Sequence, residues 1–209
     1  NFRGFLTHAG HSYSARGREQ LTEIHSQSVE RMNELKKLFI NEFPDLIVST
    51  GDTPTCSVVD DFSGTDEIRP GNFVFYDLTQ IVIGSCKPSD VAVAVICPVV
   101  AVHKERREVI IYGGSVHFSK DTVVTDSGEA VYGIVAENRE EGWGEIIRGA
   151  SLIKLSQEHG TIKLPPGFES AYKPGDLVTI IPAHSCITAS IMGRYLTTSG
   201  RYIDRMPQF

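Results

Sequence analysis

One long helical stripe, set between two short β-branched runs, constrains this chain more than any other feature. From Arg18 to Phe43 the apolar residues Leu21, Ile24, Met32, Leu35, Phe39 and Phe43 recur three, four or seven to eight positions apart, the spacing that lines one helix face. Pro44 ends the pattern, because the residue before a proline is pushed out of helical backbone. Phe5 to His8 read as a strand ahead of the loop AGHSYSARG, and DLIVSTGD reads as a second strand after the helix. Strand, helix and strand in sequence form a β-α-β unit, whose strands are normally parallel and joined by a right-handed crossover. The start of the chain is therefore expected to be α/β.

Beyond about residue 80 the texture changes. Runs such as QIVIGS, VAVAVICPVVAV, EVIIYGG, AVYGIVAE, SLIKLSQEHG and LVTIIPAH are short, β-branched and separated by Gly, Pro, Asp or Asn. Short strands with turn signals and no long helical stripe predict an antiparallel barrel or sandwich. The expectation is an α/β domain over 1–80 and a β domain over 81–209, with the boundary between residues 78 and 90 and strand exchange between the domains allowed. At 209 residues the chain is long enough to bury two cores.

Composition removes several function classes. A net charge of -6 and no basic cluster with interleaved aromatics give no field that would gather nucleic acid. No apolar run reaches the roughly 18 residues of a membrane span, and the longest, residues 91–102, contains Pro98. Cys56, Cys86, Cys97 and Cys186 are widely spaced and form no CxxC pair, which favours a reduced, cytoplasmic setting. No leader precedes the first strand and the first residue is Asn1, so a piece of a longer protein is expected.

Three stretches carry candidate chemistry. In STGDTPT, Gly51, Asp52 and Thr53 come after a strand, where small residues can aim backbone N–H groups and hydroxyls at a phosphate; the alternative is a Gly-Asp turn with Thr53 capping the segment after it. In THAGHSY, His8, His11 and Tyr13 lie just past a strand and suit acid-base work or stacking on a flat ring, or simply loop hydrogen bonding. In PAHSCIT, His184 and Cys186 stand two apart at the end of an apparent strand and so point to the same side. Nitrogen and sulfur donors suit zinc, with Glu158 and His159 as possible neighbours. Core packing is the alternative for that pair, and a Cys186 thiolate activated by His184 is another. Strand geometry separates the two backbones by roughly 6 to 7 Å, which suits convergence on a third body better than a direct hydrogen bond.

Taken in order, HAGHSY, STGDTPTCS, EIRPGNFVFYD, SKD, SQEHG and PAHSC resemble the D-serine dehydratase and D-threonine aldolase family of fold type III, relatives of alanine racemase. The resemblance covers nearly the whole chain. It implies part of a (β/α)8 barrel holding pyridoxal 5'-phosphate, followed by a β domain, with zinc or another divalent ion in the active site. Carried over by position, Tyr13 and His8 lie near the cofactor, Gly51, Asp52 and Thr53 form the phosphate turn, and His184 and Cys186 hold the metal. Tyr13, His184 and Cys186 are thereby catalytic candidates, and Tyr76 matches a recurring tyrosine.

The His-x-Cys spacing resembles the dehydratases, whereas the aldolases typically show His-x-Asp. A lyase acting on small D-3-hydroxy amino acids is implied, with a homodimer as the assembly and with aldolase, racemase or a non-catalytic module as alternatives. The motif IYGGSVHFSKD departs from the family around His117. The family's Schiff-base lysine has no match here: Lys36 and Lys37 fall on the helix and Lys120 in the β domain. The 209 residues alone are therefore expected to be inactive.

Overall fold

The computed structural model describes residues 2–205, and the chain divides into two compact units, Asn1–Tyr76 with Gln80–Asp90 and Asp77–Thr79 with Val91–Phe209. The first unit is built on β1 (Gly4–Thr7), α1 (Gly17–Phe39) and β2 (Ile47–Thr50), followed by the one-turn helix α2 (Thr53–Cys56) and β3 (Glu67–Ile68). Its three strands run parallel in the order β1-β2-β3, as the β-α-β pattern predicts. Helix α1 stops at Phe39 rather than Phe43; the chain turns there, with the amides of Glu42 and Phe43 bonding back to the Phe39 carbonyl. Phe43 instead meets Phe2 edge-on at 5.2 Å. Leu21, fully buried on α1, packs with Ala15, Val58 and Ile83 as a small core.

A short helix, α3 (Leu78–Ile83), precedes the second unit's main body. That body comprises β4 (Val95–His103), β5 (Glu108–Tyr112), the hairpin β6 (Val123–Val124) and β7 (Ala130–Val131), then β8 (Gly133–Arg139), β9 (Gly142–Leu155), β10 (His159–Lys163) and β11 (Leu177–Pro182). Six strands close into an antiparallel barrel in the order β10-β5-β4-β11-β8-β9. The barrel, and not the sandwich, is the form the β-rich half takes. Closure leaves no strand edge open.

Alternation in β4 shows how the sequence achieves this: Val95, Cys97 and Val99 are buried while Ile96, Pro98 and Val100 face outward. Phe118, from the loop after β5, is 1% exposed and packs within the barrel core with Val109, Ile111, Leu152 and Ile180. After β11 come the helix α4 (Ser185–Met192) and the hairpin β12 (Arg194–Leu196) and β13 (Tyr202–Asp204). Gly193, with φ 67°, ends α4 in the left-handed conformation that closes many helices. No disulfide joins the four cysteines, and no helix among the described residues is long and apolar enough to cross a membrane.

Candidate active site

In the second unit, β11 ends at Pro182 and α4 begins at Ser185, which makes His184 the N-cap and places Cys186 in the first helical turn. The two residues are thus not on a strand, a correction to the reading from PAHSCIT. The first turn of α4 sets Cys186 beside His184, close enough for it to contribute to the shift of the imidazole pKa. His184 is partly buried and Cys186 is exposed, so the pair faces a surface and is not core packing.

A residue not singled out from the sequence fixes this arrangement. Asp77, whose side chain is completely buried, sits 2.9 Å from His184 Nδ1 through Oδ2. The same oxygen accepts the Ser185 backbone N–H at 2.9 Å. Thr79 locks the neighbouring backbone, donating to the Ala183 carbonyl from Oγ1 at 2.6 Å and from its amide at 3.1 Å. The Asp77 hydrogen bond, followed by the neighbouring Cys186, raises the His184 pKa to about 10 against the opposing effect of burial. The imidazole is therefore charged at neutral pH unless something else takes its proton's place.

The expected neighbours of this pair make other contacts. His159 packs on Tyr112 with ring centroids 5.8 Å apart, and His117 meets the same Tyr112 ring at 5.1 Å. No group of three or more His, Cys, Asp and Glu side chains placed to hold a metal ion occurs among the described residues. A cation on His184 and Cys186 would draw its remaining ligands from outside this group, as catalytic metal sites do when they keep positions open for water or substrate.

In the first unit, the turn after β2 differs from the expected phosphate cradle in one respect. Asp52, not Thr53, is the N-cap of α2: its carboxylate accepts from the Thr55 amide at 2.9 Å, the Thr55 hydroxyl at 2.8 Å and Ser12 Oγ at 2.7 Å. A buried carboxylate that accepts from three internal donors holds the turn in shape. Gly51 is glycine because a Cβ there would come within 2.7 Å of the Arg69 carbonyl. What the turn does offer is hydroxyl: Thr50 and Thr53 are buried and their Oγ1 atoms make no hydrogen bond.

The other first-unit candidates gather around the end of β1. His8 and Tyr13 stack with ring centroids 6.0 Å apart and planes 11° from parallel. Tyr13 belongs to a 3-10 turn over Gly10–Ser14, and its ring also packs on the small core. His8 and His11 are exposed. Tyr76 holds a positive φ of 50°, rare for a non-glycine residue, and its hydroxyl donates to Ser57 Oγ at 3.1 Å.

Comparison with known proteins adds to this geometry. Residues 92–198 match the family model described as "Putative serine dehydratase domain". The chain belongs to the D-serine dehydratase family. The D-serine dehydratase of Dictyostelium discoideum is 32% identical over 207 residues, covering 93% of this chain and 50% of that protein. The D-threo-3-hydroxyaspartate dehydratase of Delftia sp. HT23 is a structural neighbour with a TM-score of 0.86 and 26% identity, covering 99% of this chain and 56% of the other. An alanine racemase-like protein from Idiomarina loihiensis aligns with a TM-score of 0.83 and 28% identity over 100% of this chain and 57% of its own.

Two further structures of D-threo-3-hydroxyaspartate dehydratase, with TM-scores of 0.84 and 0.87, each at 26% identity over 99% of this chain and 56% and 55% of the other, carry substitutions two positions apart. One is a cysteine-to-alanine mutant in the metal-free form and the other a histidine-to-alanine mutant. Members of the D-serine dehydratase family therefore match this chain throughout, and the chain spans about half the length of the curated relatives it matches.

Proposed function

We propose that this chain is part of a pyridoxal phosphate- and divalent metal-dependent lyase that removes water from D-3-hydroxy amino acids, D-serine above all, and that works as a homodimer. The observation that carries the reading is the His184-x-Cys186 pair, held by Asp77. Its spacing equals that of the histidine and cysteine altered in the related D-threo-3-hydroxyaspartate dehydratase, whose cysteine mutant is a metal-free form.

The donor set fits a metal. An imidazole nitrogen and a thiol sulfur two positions apart at a helix start are donors suited to one zinc, whose bonds to nitrogen and sulfur run to about 2.0–2.1 and 2.3 Å. Asp77 occupies Nδ1, so Nε2 is the nitrogen left for the ion. Such an ion supplies Lewis acidity toward a departing hydroxyl. The thiolate alternative draws on the nearness of Cys186 to a His184 whose pKa is raised, and a metal analysis separates the two.

The first unit fits the phosphate end of the cofactor in part. The unmet hydroxyls of Thr50 and Thr53 are donors suited to phosphate oxygens, whereas Asp52 only shapes the turn. The cofactor supplies an electron sink for the bond broken at the substrate's Cα. The stack of Tyr13 on His8 is the aromatic surface of this unit that could lie against its ring.

Full-length protein containing this chain should release pyruvate and ammonia from D-serine and lose that activity on chelation, while residues 1–209 alone should be inactive. Glycine and acetaldehyde from D-threonine, without turnover of D-serine, would replace the dehydratase with an aldolase.

A further inference from the structure

We infer that Asp77 is a positioning residue for the metal pair, selecting which nitrogen of His184 binds the cation and fixing the helix start that carries Cys186. The inference rests on the metal reading of the pair and adds a residue and a role to it. One buried oxygen, Oδ2, lies 2.9 Å from His184 Nδ1 and 2.9 Å from the Ser185 amide nitrogen. The amide is a donor only, so the oxygen acts as an acceptor, and a carboxylate has no proton of its own to give. Nδ1 therefore carries the hydrogen and Nε2 is the nitrogen with a lone pair to offer. A histidine ligand whose second nitrogen donates to a carboxylate is fixed in tautomer and ring orientation and made a stronger donor.

The second hydrogen bond matters as much. Ser185 opens α4, and Cys186 is the next residue. His184 as N-cap makes no side-chain capping bond, and Asp77 takes the first-turn amide of Ser185 from 108 positions away in sequence. A single oxygen thus orients the ring of one ligand and the backbone immediately before the other. Its complete burial keeps water from competing for either bond.

Anchoring alone has a separate agent, which makes the two roles separable. Thr79 Oγ1 donates to the Ala183 carbonyl at 2.6 Å, joining the same two segments without touching the imidazole. Asp77→Asn keeps an oxygen acceptor and removes the charge, while Thr79→Val removes the hydroxyl half of the anchor, keeps the backbone half and leaves Asp77 in place.

The test uses the full-length protein, stripped of metal and titrated with zinc against a chromophoric chelator, then with cobalt to read thiolate-to-cobalt absorption. The Asp77→Asn variant should bind zinc about 10- to 100-fold more weakly than wild type, with Thr79→Val close to wild type and the cobalt-thiolate band retained in all three. Equal affinity in wild type and Asp77→Asn would overturn the inference, as would an equal loss in both variants. Failure of wild type itself to bind zinc or cobalt would bring down the metal reading, and this inference with it. Nitrogen-15 NMR of the zinc-loaded wild type needs no variant to fold: a proton on Nδ1 with the metal on Nε2 is expected, and metal on Nδ1 would refute the role of Asp77.

Discussion

The two units finish their sheets in opposite ways. In the second, six strands close on themselves and every barrel strand has a neighbour on both sides. In the first, β1 and β3 are the outer members of a three-stranded parallel sheet. An open parallel edge is a row of backbone donors and acceptors awaiting a partner, and parallel sheets are normally covered and extended by further β-α units. The contrast teaches that the barrel pairs all its own strand edges, whereas the α/β unit leaves the outer edges of β1 and β3 unpaired among the described residues.

The largest expected effect falls on the barrel core. Phe118→Ala should cost about 3–5 kcal/mol of stability, because the ring is 1% exposed among barrel strands that cannot collapse independently. Trp143, the sole tryptophan, lies on β9 and reports this unit alone by fluorescence. Leu21→Ala removes a fully buried side chain from the smaller core, costs about 2–5 kcal/mol on the same scale, and should be read in the helical circular dichroism of α1 while leaving the Trp143 transition in place. A Trp143 transition that moves as far for Leu21→Ala as for Phe118→Ala would merge the two units into one cooperative body.

A smaller effect separates the units by pH. His25, buried on α1 and set edge-on to Phe62 at 5.5 Å, has its pKa lowered by burial, against the attraction of Asp52 and Asp61. The unfolded chain takes up that proton first, so this contribution is full above about 6.5 and is lost as pH falls below it. His184 shifts the other way, to about 10 through Asp77 and Cys186. In metal-free protein its contribution is full below about 6.5 and drains away as pH rises toward the folded value. Urea midpoints followed by α1 dichroism should therefore fall on acidification, and those followed by Trp143 should fall on the alkaline side. Midpoints moving together would contradict the opposite shifts of His25 and His184 in the two units.

How much of this is legible in the sequence depends on how local the cause is. The parallel β-α-β start comes from the Leu21 to Phe39 stripe and the proline after it, all within one stretch of chain. Barrel closure is not readable, since β10 pairs with β5, and β11 with β4 and β8, through contacts far apart in sequence. The His184 and Cys186 spacing is visible, but their helix is hidden because SCITASIM is rich in β-branched and small residues. Gly193 just after it is the available signal for a helix end. Asp52 as a cap can be read from DTPT, an acid followed by a proline in a first turn. Asp77 cannot: nothing in FYD announces a partner 107 positions away.

The central claim is that His184 and Cys186 together bind one divalent cation. Zinc-edge X-ray absorption on metal-loaded full-length protein tests it most directly. A shell with one sulfur at about 2.3 Å and nitrogen or oxygen at about 2.0–2.1 Å, losing the sulfur in Cys186→Ala, is the predicted result. A first shell without sulfur in the wild type, or one unchanged by that substitution, would contradict it.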